Sequence, residues 1–118
     1  MYLQTKIKID FLKSDIYFYI VSDIKKKIKT LLKKRNEQMH DYDGDAAAVT
    51  FCLKNADYFI IIKDKYITNY YISHEILHVT EHILNDSSIK DEETKAYIVG
   101  YITEKIYNFL ISKNIKIA

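Results

Sequence analysis

Residues Tyr58 to Lys63 read YFIIIK, and five consecutive aromatic or aliphatic side chains leave a β-strand no polar face to turn toward water. A run of this kind belongs near the middle of a sheet, with strands paired on both sides of it. The other strands of this 118-residue chain must therefore lie around it.

Four segments, that one included, have strand character. In Tyr2 to Phe11, Lys6, Lys8 and Asp10 alternate with Ile7, Ile9 and Phe11, which predicts a strand with one buried face. Asp15 to Val21, DIYFYIV, is rich in aromatic and β-branched residues and predicts a second, with the turn at Lys13 and Ser14. Ala47 to Leu53 and Tyr58 to Lys63 complete the set, joined across Lys54 to Asp57 as a hairpin. Between the second and third strands, Ser22 and Asp23 offer an N-cap. Ile24, Ile28, Leu31 and Leu32 then repeat at helical spacing, predicting an amphipathic helix to about Gln38. Two further helices are expected, from Tyr66 to about Leu84 and from Asp91 to about Ser112, with a turn at Asn85 to Ser88. The reading is one α+β domain over residues 1–118: a small mixed sheet of about four strands packed on an amphipathic helix and a C-terminal antiparallel helix pair.

Composition excludes several classes. No apolar run approaches the roughly 20 residues that cross a bilayer. The opening MYLQTKIKIDFL lacks the pattern of a secretory signal, so no membrane is expected and the expected compartment is cytoplasmic. A single cysteine, Cys52, allows neither an intrachain disulfide nor a cysteine-based zinc cluster, and predicts a small buried filler rather than a nucleophile. The lysines of the first helix, Lys25, Lys26, Lys27, Lys29, Lys33 and Lys34, with Arg35, read as a solvated face. A net charge of +2 and the absence of aromatics between them argue against nucleic acid as a partner. DYDGDA, Asp41 to Ala46, lacks the closing glutamate of a calcium loop and reads as a turn.

The stretch SHEILHVTEH, Ser73 to His82, carries the chemistry. His74 and His78 stand four apart, one turn of a helix, so their imidazoles can meet at one ion. Ile72, Ile76, Val79 and Ile83 form one apolar stripe of this helix and Tyr66, Tyr70, Leu77 and Leu84 another, which predicts a largely buried helix with the histidines as its polar seam. His-Glu-x-x-His is the arrangement in which two neutral imidazoles hold zinc and the glutamate, here Glu75, takes a proton from the activated water. His82 lies about 12 Å farther along the helix than His74, too far to share the ion. The metzincin extension requires glycine and histidine where Glu81 and Leu84 stand.

Zinc held by two imidazoles takes a third protein ligand, and the first turn of the last helix offers Glu92 and Glu93. Glu93 is preferred because it shares a face with Ala96, Tyr97 and Gly100, where a glycine would permit close approach to the histidine helix. Without a metal, both acids are explained as charges opposing the helix dipole. Tyr97 and Tyr101 are candidate donors to an oxyanion, or else ordinary packing residues.

HEILH followed by DEETKAYIVGYITEKI resembles the small gluzincin-type zinc metallopeptidases, particularly compact zincin-like proteins of phages and mobile elements. The resemblance covers residues 45–108 best. It implies one Zn²⁺ per chain on His74, His78 and Glu93, with Glu75 as general base in the hydrolysis of peptide bonds. It also implies an edge strand, here Ala47 to Leu53, on which an extended peptide or protein substrate pairs. These 118 residues are expected to hold no second domain to wall the cleft, so a zincin-like module that acts by binding a protein partner is the alternative.

Overall fold

The computed structural model describes residues 1–12, 14–35, 46–53 and 57–118. Strands β1 (Tyr2–Lys8), β2 (Asp15–Val21), β3 (Ala48–Cys52) and β4 (Tyr58–Lys63) form one mixed sheet in the order β1-β2-β4-β3. The all-apolar β4 sits inside it, parallel to β2 and antiparallel to β3, while β1 and β3 form the two edges. Helix α1 (Ile24–Arg35) packs on one face. Helices α2 (Asn69–Asp86) and α3 (Glu92–Ser112) lie side by side on the other.

Alternation along the strands decides which side chain meets which layer. Ile16, Phe18 and Ile20 of β2 and Ile60 and Ile62 of β4 point toward the helix pair, and join Ile72, Ile76, Val79 and Ile83 of α2 and Ile98, Ile102, Ile106 and Leu110 of α3 in the larger core. Tyr19, Val21, Phe59 and Ile61 point the other way and meet Ile24, Ile28 and Leu31 of α1. A continuous apolar strand is thus explained by burial on both faces.

The helix ends follow local chemistry. Asp23 accepts from the Lys26 amide at 3.0 Å, Thr68 from the Tyr71 amide at 3.2 Å and Asp91 from the Thr94 amide at 3.0 Å, so each helix begins at a side-chain cap. At the C-termini of α2 and α3 the chain turns through Ser88 and Asn114, both at positive φ. The Ile89 and Ile115 amides bond back to Leu84 and Leu110, closing both ends. Helices α2 and α3 run antiparallel: Lys95 pairs with Glu81, and the Tyr107 hydroxyl donates to Asn69 at the other end.

Four boundaries differ from those predicted. β1 stops at Lys8 because the Leu12 amide bonds to the Ile9 carbonyl in a turn, which leaves Phe11 exposed. A short 3-10 turn, Asp64–Tyr66, precedes α2, which begins at Asn69. Strand β3 is one residue shorter at each end than expected. The last helix starts at Glu92, with Asp91 as its cap. The turn assigned to DYDGDA, the end of the first helix beyond Arg35, the Lys13 turn and most of the β3–β4 connection lie outside the described residues. Among the described residues no helix is long and apolar enough to cross a membrane.

Candidate metal centre

Helix α2 buries Ile72, Ile76, Val79 and Ile83 as expected, but the second apolar stripe is a surface. Tyr70 is 66% exposed and Leu77 49%, and Tyr66 is exposed as well; of that stripe only Leu84 is buried. His74, His78 and His82 therefore lie on an open face, not in a buried seam. Apolar residues at helical spacing identify a stripe, but whether a neighbour covers it depends on layers the helix does not itself contain.

On this open face His74 and His78 converge, with their Nε2 atoms 3.0 Å apart and their rings at 69° to one another. Two imidazole nitrogens bound tetrahedrally to one zinc at about 2.05 Å stand about 3.3 Å apart. The separation found is within a few tenths of an ångström of that value. A direct N–H···N hydrogen bond between the rings fits it equally well. The Tyr70 ring lies against His74, 5.6 Å between centroids, and covers one side of the pair.

Glu75 is turned about 100° around the helix from His74, and about 60° from His78, toward the sheet edge. It is 4% exposed. Thr50 of the edge strand β3 donates its hydroxyl to Glu75 Oε1 at 2.8 Å, and the same hydroxyl lies 3.3 Å from the Glu75 carbonyl. One hydroxyl hydrogen serves one acceptor well, and the charged carboxylate is the nearer and the stronger. A buried carboxylate is costly unless hydrogen-bonded, so Thr50 is its support and the link between α2 and the strand. No sequence spacing could have nominated Thr50; it comes from β3, 25 residues before Glu75.

The structure does not gather Glu93 with the imidazoles. Among the described residues no group of three His, Cys, Asp or Glu side chains stands close enough to hold a metal. The phase of α3 explains why. Lys95 reaches Glu81 of α2 at 2.7 Å, so the flank of α3 carrying Glu92, Lys95 and Val99 faces α2. Glu81, chiefly through its hydrogen bond, holds the Lys95 ammonium pKa above its usual value, with a smaller contribution from Glu92. Glu93 shares the other flank with Tyr97, whose ring packs against Phe11 and Tyr101.

One expectation about α3 is corrected, and of the two roles open to its tyrosines the contacts are those of packing. Gly100 is exposed, and a methyl group placed on it would meet nothing within 4 Å, so no close helix approach explains this glycine. Tyr97 and Tyr101 turn toward Phe11 and Lys105, so neither is aimed at the histidines. Cys52, expected to be a small buried filler, is instead only half-buried, packed at the edge of the larger core.

No family model matches this sequence, and no curated protein or solved structure is significantly similar to it.

Proposed function

We propose that this chain is a minimal zincin-like metallopeptidase domain whose metal ligands include His74 and His78 and whose general base is Glu75. The observation that carries the reading is the convergence of the two Nε2 atoms at 3.0 Å beside a buried glutamate held by the edge strand. Zinc bound there would supply a Lewis acid and a water acidified to near neutrality. The chain's own contributions are separate. Neutral imidazoles present Nε2 lone pairs on an open face, so a substrate carbonyl has access from solvent. Glu75 accepts the proton of the attacking water and returns it to the leaving amine. Thr50 fixes the carboxylate's position through a hydrogen bond that Glu75 keeps while it acts, since the second oxygen remains available. The outer edge of β3, next to Thr50, is where an extended peptide would add as a further strand.

The third ligand is assigned to the first turn of α3. The resemblance nominates Glu93, whereas the phase of α3 favours Glu92, which lies on the flank facing α2. Either requires that turn to shift toward the imidazoles. A second reading is favoured by the lack, among the described residues, of a third ligand beside the pair: a module that keeps a two-histidine site and works by binding a protein.

Zinc content and peptide turnover separate the two. With one zinc bound, the wild type should cleave an unstructured peptide library, and Glu75→Gln should keep its zinc and lose cleavage. Full zinc loading without cleavage by the wild type would leave the binding module.

A further inference from the structure

On the face of the sheet that carries α1, the described residues leave a basic, aromatic trough beside the helix. Helix α1 packs over β4 and the inner edge of β2, leaving a cavity of about 570 Å³ between its flank and β1. The floor comes from the strands. In the β1–β2 register Gln4 stands opposite Tyr19 and Lys6 opposite Tyr17, all four on this face. The wall is Lys27, Leu31 and Lys34 of α1, spaced by four and three. Tyr2 closes one end and is 52% exposed.

The lysines of α1 have no aromatics among them in sequence; β1 and β2 bring the aromatics alongside. The Tyr17 and Tyr19 rings lie within 12° of parallel, and the Lys27 ammonium sits 4.3 Å from the Tyr19 centroid while donating to the Tyr2 hydroxyl at 2.7 Å. Among the described residues no acidic side chain lines the cavity. Asp15, which is half-buried, approaches the exposed Lys6 ammonium only at 4.0 Å. Charge is also segregated along the chain: residues 1–35 hold 10 of the 18 lysines and arginines but 3 of the 16 acids.

We propose that this trough binds single-stranded nucleic acid, with phosphates on Lys6, Lys27 and Lys34 and a base stacked on Tyr2. Lysines that track a backbone beside an exposed ring, here that of Tyr2, are the two components such sites combine. An acidic peptide would satisfy the lysines but has no planar groups for the tyrosines. The ligand is longer than one nucleotide, because Lys25, Lys26, Lys29 and Lys33 extend the basic surface along α1 and the β1 side is open. The site lies on the opposite face of the sheet from α2, so it does not depend on the proposed metal centre.

Fluorescence anisotropy with a labelled 12-nucleotide single strand tests it, using the full chain at several salt concentrations. Three phosphate contacts predict a log affinity against log salt slope of about −2. Tyr2→Ala should weaken binding roughly 10-fold by loss of stacking. Lys27→Gln/Lys34→Gln should weaken it and flatten the salt slope, whereas Lys105→Gln/Lys113→Gln on α3 should change nothing. His78→Ala should bind as the wild type does, which separates this site from the zinc reading. Circular dichroism of each variant confirms that it is folded. The proposal is overturned if the wild type shows no binding at low salt, if Tyr2→Ala in a folded protein binds unchanged, or if an oligoglutamate of equal charge binds as tightly. Tight binding of a mononucleotide equal to that of the 12-mer would also overturn it, in favour of a small-ligand pocket.

Discussion

Helices α2 and α3 lie against the same sheet face and bury similar ladders of isoleucine, yet they place their polar residues by different physics. On α2 the candidate site is local: a four-residue step puts two imidazoles 3.0 Å apart whatever the rest of the chain does. On α3 the candidate acids depend on which flank of one helix faces the other, and that is fixed by packing between elements far apart in sequence. The pair is therefore built by spacing alone, while completion of the site depends on the rotation of α3.

The largest effects test that asymmetry. His78→Ala removes one of the two proposed ligands and is expected to lower zinc affinity roughly 100-fold or more, beyond the 10- to 100-fold typical of losing a supporting partner. Glu92→Gln and Glu93→Gln, read by the same zinc titration, should be unequal, with the greater loss in Glu92→Gln if the flank facing α2 supplies the ligand. Equal affinity in both would mean that α3 contributes none. Core truncation should in contrast treat the helices alike. Ile76→Ala on α2 and Ile102→Ala on α3, both essentially inaccessible to water, should each cost about 2–5 kcal/mol in chemical denaturation.

What the sequence made legible follows the same division. The unbroken apolar run of β4 announced a central strand, the i, i+4 histidines announced a pair, and Ser22-Asp23 announced a helix start, because each signal acts over a few residues. The exposure of Tyr70 and Leu77, the solvent-facing Gly100 and the turn of Tyr97 toward Phe11 were not legible. Each depends on the rotation of a helix relative to a neighbour, and an apolar side chain at helical spacing looks the same whether it is covered or not. Thr50 belongs to this second group, since an ordinary threonine in a strand becomes notable only once Glu75 is found beneath it.

Thr50 also offers a measurement of intermediate size on the α2 side of the comparison. Thr50→Val keeps the side-chain shape and removes the donor, leaving the buried Glu75 carboxylate without the hydrogen bond it receives from β3. A loss of about 1–3 kcal/mol in unfolding free energy is expected at neutral pH. Glu75→Gln in the same background should recover part of it, because an uncharged amide costs less to bury. An unchanged melting curve for Thr50→Val would mean that water replaces the hydroxyl and that Glu75 is less enclosed than its exposure indicates.

On α3 the corresponding measurement should go in the other direction. With φ in the helical range and no neighbour within 4 Å of its missing side chain, Gly100→Ala should stabilise the protein by up to about 1 kcal/mol. A destabilised Gly100→Ala protein would reveal a partner or a zinc-bound arrangement in which α3 needs that space.

The smallest effect separates the helix starts by pH. Hydrogen bonds from the Thr94 hydroxyl and amide hold the Asp91 carboxyl below its ordinary pKa at the start of α3, whereas α2 is capped by the neutral Thr68. A carboxylate with a depressed folded-state pKa contributes its stability fully above the unfolded-state value, and loses it as pH falls through the folded-state value. Acid should therefore loosen the first turn of α3 before that of α2. Amide hydrogen exchange is expected to show Thr94 and Lys95 losing protection as pH drops below the ordinary aspartate range, after correction for the intrinsic rate, while Tyr71 and Ile72 keep theirs. Asp91→Asn, which keeps a capping oxygen but cannot titrate, should abolish the difference in pH dependence between the two helix starts. If the difference persists in Asp91→Asn, the acid sensitivity of α3 comes from the Glu81–Lys95 contact between the helices instead of the cap.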